Sequence, residues 1–110
     1  MKAYIHRNKE FLHFFCSLTA KERTKLLPNL NRNHINTISE IFRNFLNKNL
    51  TVDKKLVHKI KHCKKEVRLV ALKKTPQYLK KKVLQSRRGG AILSVLLPLA
   101  AGLVSSLIAK

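Results

Sequence analysis

The side chains with the most chemical capacity lie in the second half of the chain. His58, His62 and Glu66 recur every four residues, which places them on one helical face with Cys63 beside them. Imidazole, thiol and carboxylate all bind metals, but three aligned donors leave a tetrahedral site incomplete, and the lysines around them repel a cation. The spacing is read as a solvated polar stripe, and neither a metal nor another cofactor is expected. No Ser/His/Asp or Cys/His set can be assembled, because nothing orders one group against another. Five acidic residues and three glycines offer little for carboxylate catalysis, a calcium or magnesium cage, or a glycine-rich nucleotide loop. The expectation is a protein that is not an enzyme.

What the sequence does concentrate is positive charge. The chain of 110 residues carries 24 Lys and Arg against 5 Asp and Glu, a formal charge of +19, with an ordinary hydrophobic content of 45%. Such an excess repels itself unless a polyanion neutralises it, which points to nucleic acid or an anionic membrane surface. The densest block is Lys54, Lys55, Lys59, Lys61, Lys64, Lys65, Arg68, Lys73, Lys74, Lys80, Lys81, Lys82, Arg87 and Arg88, with Glu66 as its one acid. Against duplex DNA, which carries a charge about every 1.7 Å of axis, this block matches on the order of a dozen phosphates. Base readout favours planar bidentate Arg, Asn or Gln, whereas eleven of these fourteen side chains are lysine. Binding to the backbone without sequence preference is therefore expected. Tyr78 is the one aromatic in the block, which favours duplex over single strands. The bland alternative is that the lysines only keep a small helical protein in solution.

Beyond Gly89-Gly90, residues 91 to 109 form an uncharged run closed by Lys110. As a helix, nineteen residues reach roughly 28 Å, the thickness of a bilayer's hydrocarbon core. Ile92, Leu96, Leu97, Leu99, Leu103 and Leu107 are the candidate membrane-facing residues, while Ser94, Pro98, Ala101, Ser105 and Ala109 make a small-residue face suited to close helix packing and self-association. The alternative is a helix buried in a partner's groove or in the chain's own core. The start, Met1 to Arg7, breaks any apolar run with charge and does not read as a secretory signal. Cys16 and Cys63 are too far apart for a redox motif and read as free thiols in a reducing compartment.

These groups must be positioned by helices. Residues 3 to 18 carry Tyr4, Phe11, Phe15 and Leu18 at helical spacing, and Thr19 with Glu22 fits a capping box opening a short helix that stops near Leu26, before Pro28. Asn31 or Asn33 can cap a third helix with Ile35, Ile38, Ile41, Phe42, Phe45 and Leu46 on one face. Thr51 opens a fourth, with Leu56, Ile60, Cys63, Val67 and Val70 as its seam. Thr75-Pro76 opens a fifth, with Tyr78, Leu79, Val83 and Leu84, and Gly89-Gly90 then breaks the chain. The fold expected is all-α: a small bundle of short helices over 1–74, a basic helix and Gly-Gly joint over 75–90, and an apolar C-terminal helix over 91–110.

Lys25-Leu26-Leu27, Ile38-Ser39-Glu40-Ile41 with Asn44-Phe45-Leu46, Asn49-Leu50-Thr51, Lys73-Lys74, Val83-Leu84-Gln85 and Gly89-Gly90 before Ile92-Leu93 carry a resemblance in their order. Across about residues 20 to 100 the chain resembles the small basic core or minor virion proteins of Polinton (Maverick) elements and adintoviruses, which look like adenovirus core protein X. The resemblance implies a structural protein of the virion and host nucleus that binds and condenses viral DNA, with its tail on the capsid shell or on membrane lipid. It also implies that Gly89-Gly90 is a processing site for an adenovirus-type protease; a flexible hinge is the other reading of the pair. The rival from a different class is a tail-anchored membrane protein whose lysines face anionic lipid.

Overall fold

The protein's structure is a computed structural model that describes residues 7–47, 54, 58 and 61–108, the last eight through their backbone alone. Among the described residues all regular structure is helical, with no strand: α1 (Lys9–Ser17), α2 (Ala20–Leu26), a 3-10 turn (Leu27–Asn29), α3 (Arg32–Leu46), a second 3-10 turn (Lys61–Cys63), α4 (Lys64–Ala71), α5 (Gln77–Gln85) and α6 (Arg87–Ile108). The expected all-α bundle is what forms.

Local chemistry sets the starts. Thr19 Oγ1 accepts from the Glu22 amide at 3.2 Å and Glu22 Oε1 accepts from the Thr19 amide at 2.9 Å, the reciprocal bonds of the capping box. Pro28 then sits in the 3-10 turn that ends α2. Of the two candidate caps for α3, Asn31 serves, its Oδ1 accepting from the His34 amide at 2.9 Å. Thr75 does not cap α5; Pro76 holds the cap position without a side-chain bond, and Thr75 is buried. Tyr4, Leu56 and Ile60 lie outside the described residues.

The core joins every segment. Leu12 and Phe15 of α1, Ile35, Ile38, Ile41 and Phe42 of α3, Val67 and Val70 of α4, and Leu84 of α5 share one hydrophobic cluster with Ile92, Leu93, Leu96, Leu97 and Ala100 of α6. α6 packs against each of the other five described helices, so the C-terminal helix lies at the centre of the described bundle.

Two expectations are corrected at this point. Gly89-Gly90 does not break the chain, because α6 begins at Arg87 and runs through both glycines. The turn falls one step earlier, at extended Ser86 (φ −69°, ψ 160°), whose Oγ accepts from the Gly89 amide at 3.1 Å and so caps α6. Nor does the described part of the tail offer its apolar side chains to lipid. Ile92, Leu96 and Leu97 are each 2% exposed or less and Leu99 is half-buried; the side chains of Leu103 and Leu107 lie outside the described residues. Among the described residues no helix is long and apolar enough to cross a membrane. The physical reason is that the inward apolar faces of the other described helices meet on α6, and covering them with its own apolar side chains removes both sets from water.

Candidate nucleic-acid interface

The described helix over Lys64–Ala71 sorts its residues by face. Cys63, Val67, Val70 and Ala71 turn inward, whereas Lys61, Lys64, Lys65 and Arg68, at i, i+3, i+4 and i+7, are all exposed. This is a cationic stripe along one helix edge of roughly 11 Å, a length over which duplex DNA carries about six charges. The stripe meets the turn after α4, where the Thr75 amide bonds to the Leu72 carbonyl and leaves Lys73 and Lys74 exposed between them. Lys82, on the outer face of α5, follows.

Ten of the fourteen expected residues are exposed: Lys54, Lys61, Lys64, Lys65, Arg68, Lys73, Lys74, Lys82, Arg87 and Arg88. Lys55 and Lys59 lie outside the described residues. Lys81 is half-buried, its Nζ donating to the Pro28 carbonyl at 3.1 Å. Lys80 is a correction: it is 1% exposed, with Nζ donating to Ser39 Oγ at 2.9 Å, and Ser39 in turn donating to the Ile35 carbonyl. Loss of hydration, reinforced by the Arg43 charge, holds the Lys80 amine below its usual pKa. It cannot reach a phosphate.

The rotation of α5 explains that miss. Its inward line is Gln77, Lys80, Lys81 and Leu84, and the first two meet polar atoms of α3, Gln77 Nε2 donating to Asn36 Oδ1 at 3.2 Å and Lys80 to Ser39. Tyr78, expected on the apolar seam, is 72% exposed. Apolar periodicity finds only the faces that apolar partners will cover.

With so few acids, buried cations are satisfied by carbonyl and hydroxyl oxygens. Arg23 Nη1 donates to the Leu18 carbonyl at 2.6 Å and the Phe15 carbonyl at 3.4 Å, at the end of α1, while Nη2 donates to Ser94 Oγ of α6 at 2.9 Å. Arg43 donates to the Ala71 carbonyl at the end of α4 at 2.9 Å. Helix C-termini carry the negative end of the dipole and suit such donors. The acid of the block, Glu66, pairs with Arg88 at 3.7 Å, leaving little negative charge beside the stripe. Ser94, expected on a self-associating face, is thus engaged within the chain.

Residues outside the block extend the positive surface. Lys21 of α2 and Arg87 of α6, with Thr24 and Ser86, line an open groove of about 300 Å³. Lys21 is distant in sequence from the basic block, so only the docking of α2 on α6 brings it there. His58 and His62 stand 6.4 Å apart, ring centre to ring centre, edge to face, and among the described residues no group of three or more His, Cys, Asp or Glu could hold a metal. Cys16 and Cys63 are both free and half-buried.

Gly89 is buried and helical, and Gly90 half-buried. A protease takes its substrate extended, so processing here requires the first turn of α6 to open. Compared with protein-family models, curated proteins and solved structures, the chain matches none.

Proposed function

We propose that this chain is a structural protein that binds the phosphate backbone of duplex DNA without base-sequence preference. The observation that carries this reading is the line of exposed cations on α4, Lys61, Lys64, Lys65 and Arg68, continued by Lys73, Lys74 and Lys82 with one acid nearby that is already paired. Lysine-rich stripes attract phosphate by charge and counterion release, and their flexible ammonium groups do not discriminate bases. A second cationic place on different elements, Lys21 and Arg87 across the groove, supports contact with a second duplex segment and hence condensation. This role agrees with the genome-packaging function in a virion that the resemblance implies, with α6 serving the fold and its exposed parts available to a capsid shell.

Duplex titrations across salt concentrations test the reading. Log affinity should fall with log salt by several units, about 0.9 for each phosphate engaged, and by the same slope on unrelated sequences. A shallow slope, or a marked preference for one sequence, defeats it. Sedimentation with anionic vesicles under conditions where duplex does not bind would favour the lipid-facing rival instead.

A further inference from the structure

Two uncharged side chains interrupt the cationic line. Leu72 closes the α4 stripe, four residues after Arg68, and is 46% exposed; Tyr78, in the first turn of α5, is 72% exposed, the most open of the large apolar residues described. Isolated apolar residues on a surface are ordinary. These two differ in their placement: Lys73 and Lys74 stand between them in the turn, and Lys82 lies one helical turn beyond Tyr78 on the same face. A partner that covers the ring and the leucine must accept exposed ammonium groups on either side. It must therefore be anionic at its edges and apolar between them. The groove of a duplex has that form, with rows of phosphates flanking walls of deoxyribose and stacked base edges.

We propose that Leu72 and Tyr78 form the groove-contacting centre of the DNA interface, with Lys73, Lys74 and Lys82 on the flanking phosphates. The inference rests on the duplex-binding function proposed above and adds to it a contact that salt does not screen. Burial of apolar surface releases no counterions, so this contact changes the level of binding and leaves the salt slope alone. A lysine on a phosphate contributes to both, because its loss weakens binding and also removes a released counterion from the slope.

The test is a salt series of duplex affinities for the full chain and for Tyr78→Ala, Tyr78→Phe, Lys74→Ala and Phe14→Ala, each first checked for unchanged helicity. Tyr78→Ala should bind roughly fivefold or more weakly at every salt concentration, on a line parallel to the parent's, the size expected for removing a large apolar side chain from a buried contact. Tyr78→Phe should restore the level because the ring is kept. Lys74→Ala should reduce the slope by about 0.9. Phe14, 54% exposed on α1, is the control for general loss of surface apolarity. The chain has two tyrosines and no tryptophan, so in Tyr4→Phe the emission of Tyr78 is observed alone and should become shielded from iodide by duplex. A Tyr78→Ala line that superimposes on the parent, an equal loss in Phe14→Ala, or emission unshielded by bound duplex overturns the proposal while duplex binding stands. Shielding by anionic vesicles but not by duplex also overturns it. Failure of the parent chain to bind duplex at any salt removes the underlying function and this contact together.

Discussion

Lys80 sits in the middle of a basic run and behaves unlike its neighbours, because its ammonium group is enclosed while theirs are hydrated. Its folded pKa lies below the ordinary 10.5, because burial strips water from the ammonium form and the Arg43 charge opposes it, while its Nζ donates to the Ser39 hydroxyl. Taking an ammonium group out of water costs several kcal/mol, a penalty that an apolar side chain of similar length does not carry. Lys80→Met should therefore be at least as stable as the parent at pH 7 in urea denaturation. The sign with pH follows from linkage: deprotonation favours the folded parent fully above about 10.5, and that contribution is lost as pH falls through the lowered folded value. The advantage of Lys80→Met should shrink as pH is raised toward 10.5. His34 gives a second dependence. It stacks on Phe11 with ring centres 4.0 Å apart, its Nδ1 is buried with no hydrogen-bond partner among the described residues, and burial lowers its pKa from 6.5. The stability it lends is full above about 6.5 and declines as pH falls below that, down through the folded value. His34→Asn should flatten the loss of melting temperature between pH 7.5 and 5.

At the scale of elements, the joint between α5 and α6 depends on one glycine and not on its neighbour. A Cβ at Gly89 would overlap the Val83 carbonyl oxygen and lie 2.7 Å from its carbon, whereas one at Gly90 would meet nothing closer than the Leu84 oxygen at 3.6 Å. The obstacle at Gly89 is backbone at the end of α5, so relief requires the two helices to part. Gly89→Ala should cost about 1 to 3 kcal/mol, the range for overpacking. Gly90→Ala should be neutral or stabilising by up to about 1 kcal/mol, since alanine loses less backbone freedom in a helix. Thermal melts of the two variants would separate these outcomes, and equal effects would defeat the account. The pair thus reads as a tight helix junction, with Ser86 as cap, in place of a hinge.

For the whole molecule, α6 decides whether there is a folded surface to present. Leu96 is fully buried and belongs to the one shared cluster, so Leu96→Ala should cost about 2 to 5 kcal/mol, a large part of the 5 to 15 kcal/mol typical of a domain. The packing ties the tail to the basic block, because residues 92 to 100 share one core with α4 and α5. Deleting residues 91 to 110 should abolish the cooperative melt, because Ile92, Leu93, Leu96, Leu97 and Ala100 leave with it. Calorimetry on the truncated chain checks this, and a retained cooperative transition would show that five helices suffice.

Much was legible without coordinates because it depends on local chemistry. The Thr19–Glu22 box, the narrowing of the α3 cap to Asn31 or Asn33, the end of α2 before Pro28 and the inward Ile35, Ile38, Ile41 and Phe42 of α3 each follow from side chains within one or two turns of one another, whereas Leu46, expected on the same line, is exposed. The all-α class and the large positive charge are likewise sums over the sequence. Three matters were settled only in the folded chain. Lys80 is buried because Ser39, 41 positions away, offers a hydroxyl; Lys21 joins Arg87 because α2 docks on α6; and Ile92, Leu93, Leu96, Leu97 and Ala100 of the uncharged C-terminal run join the core because the other described helices pack around them. An apolar helix has the same composition whether lipid, a partner or its own chain covers it, and a lysine the same charge whether water or a buried hydroxyl receives it. Composition sets how strongly a side chain seeks cover, and only the packing of distant elements determines what provides that cover.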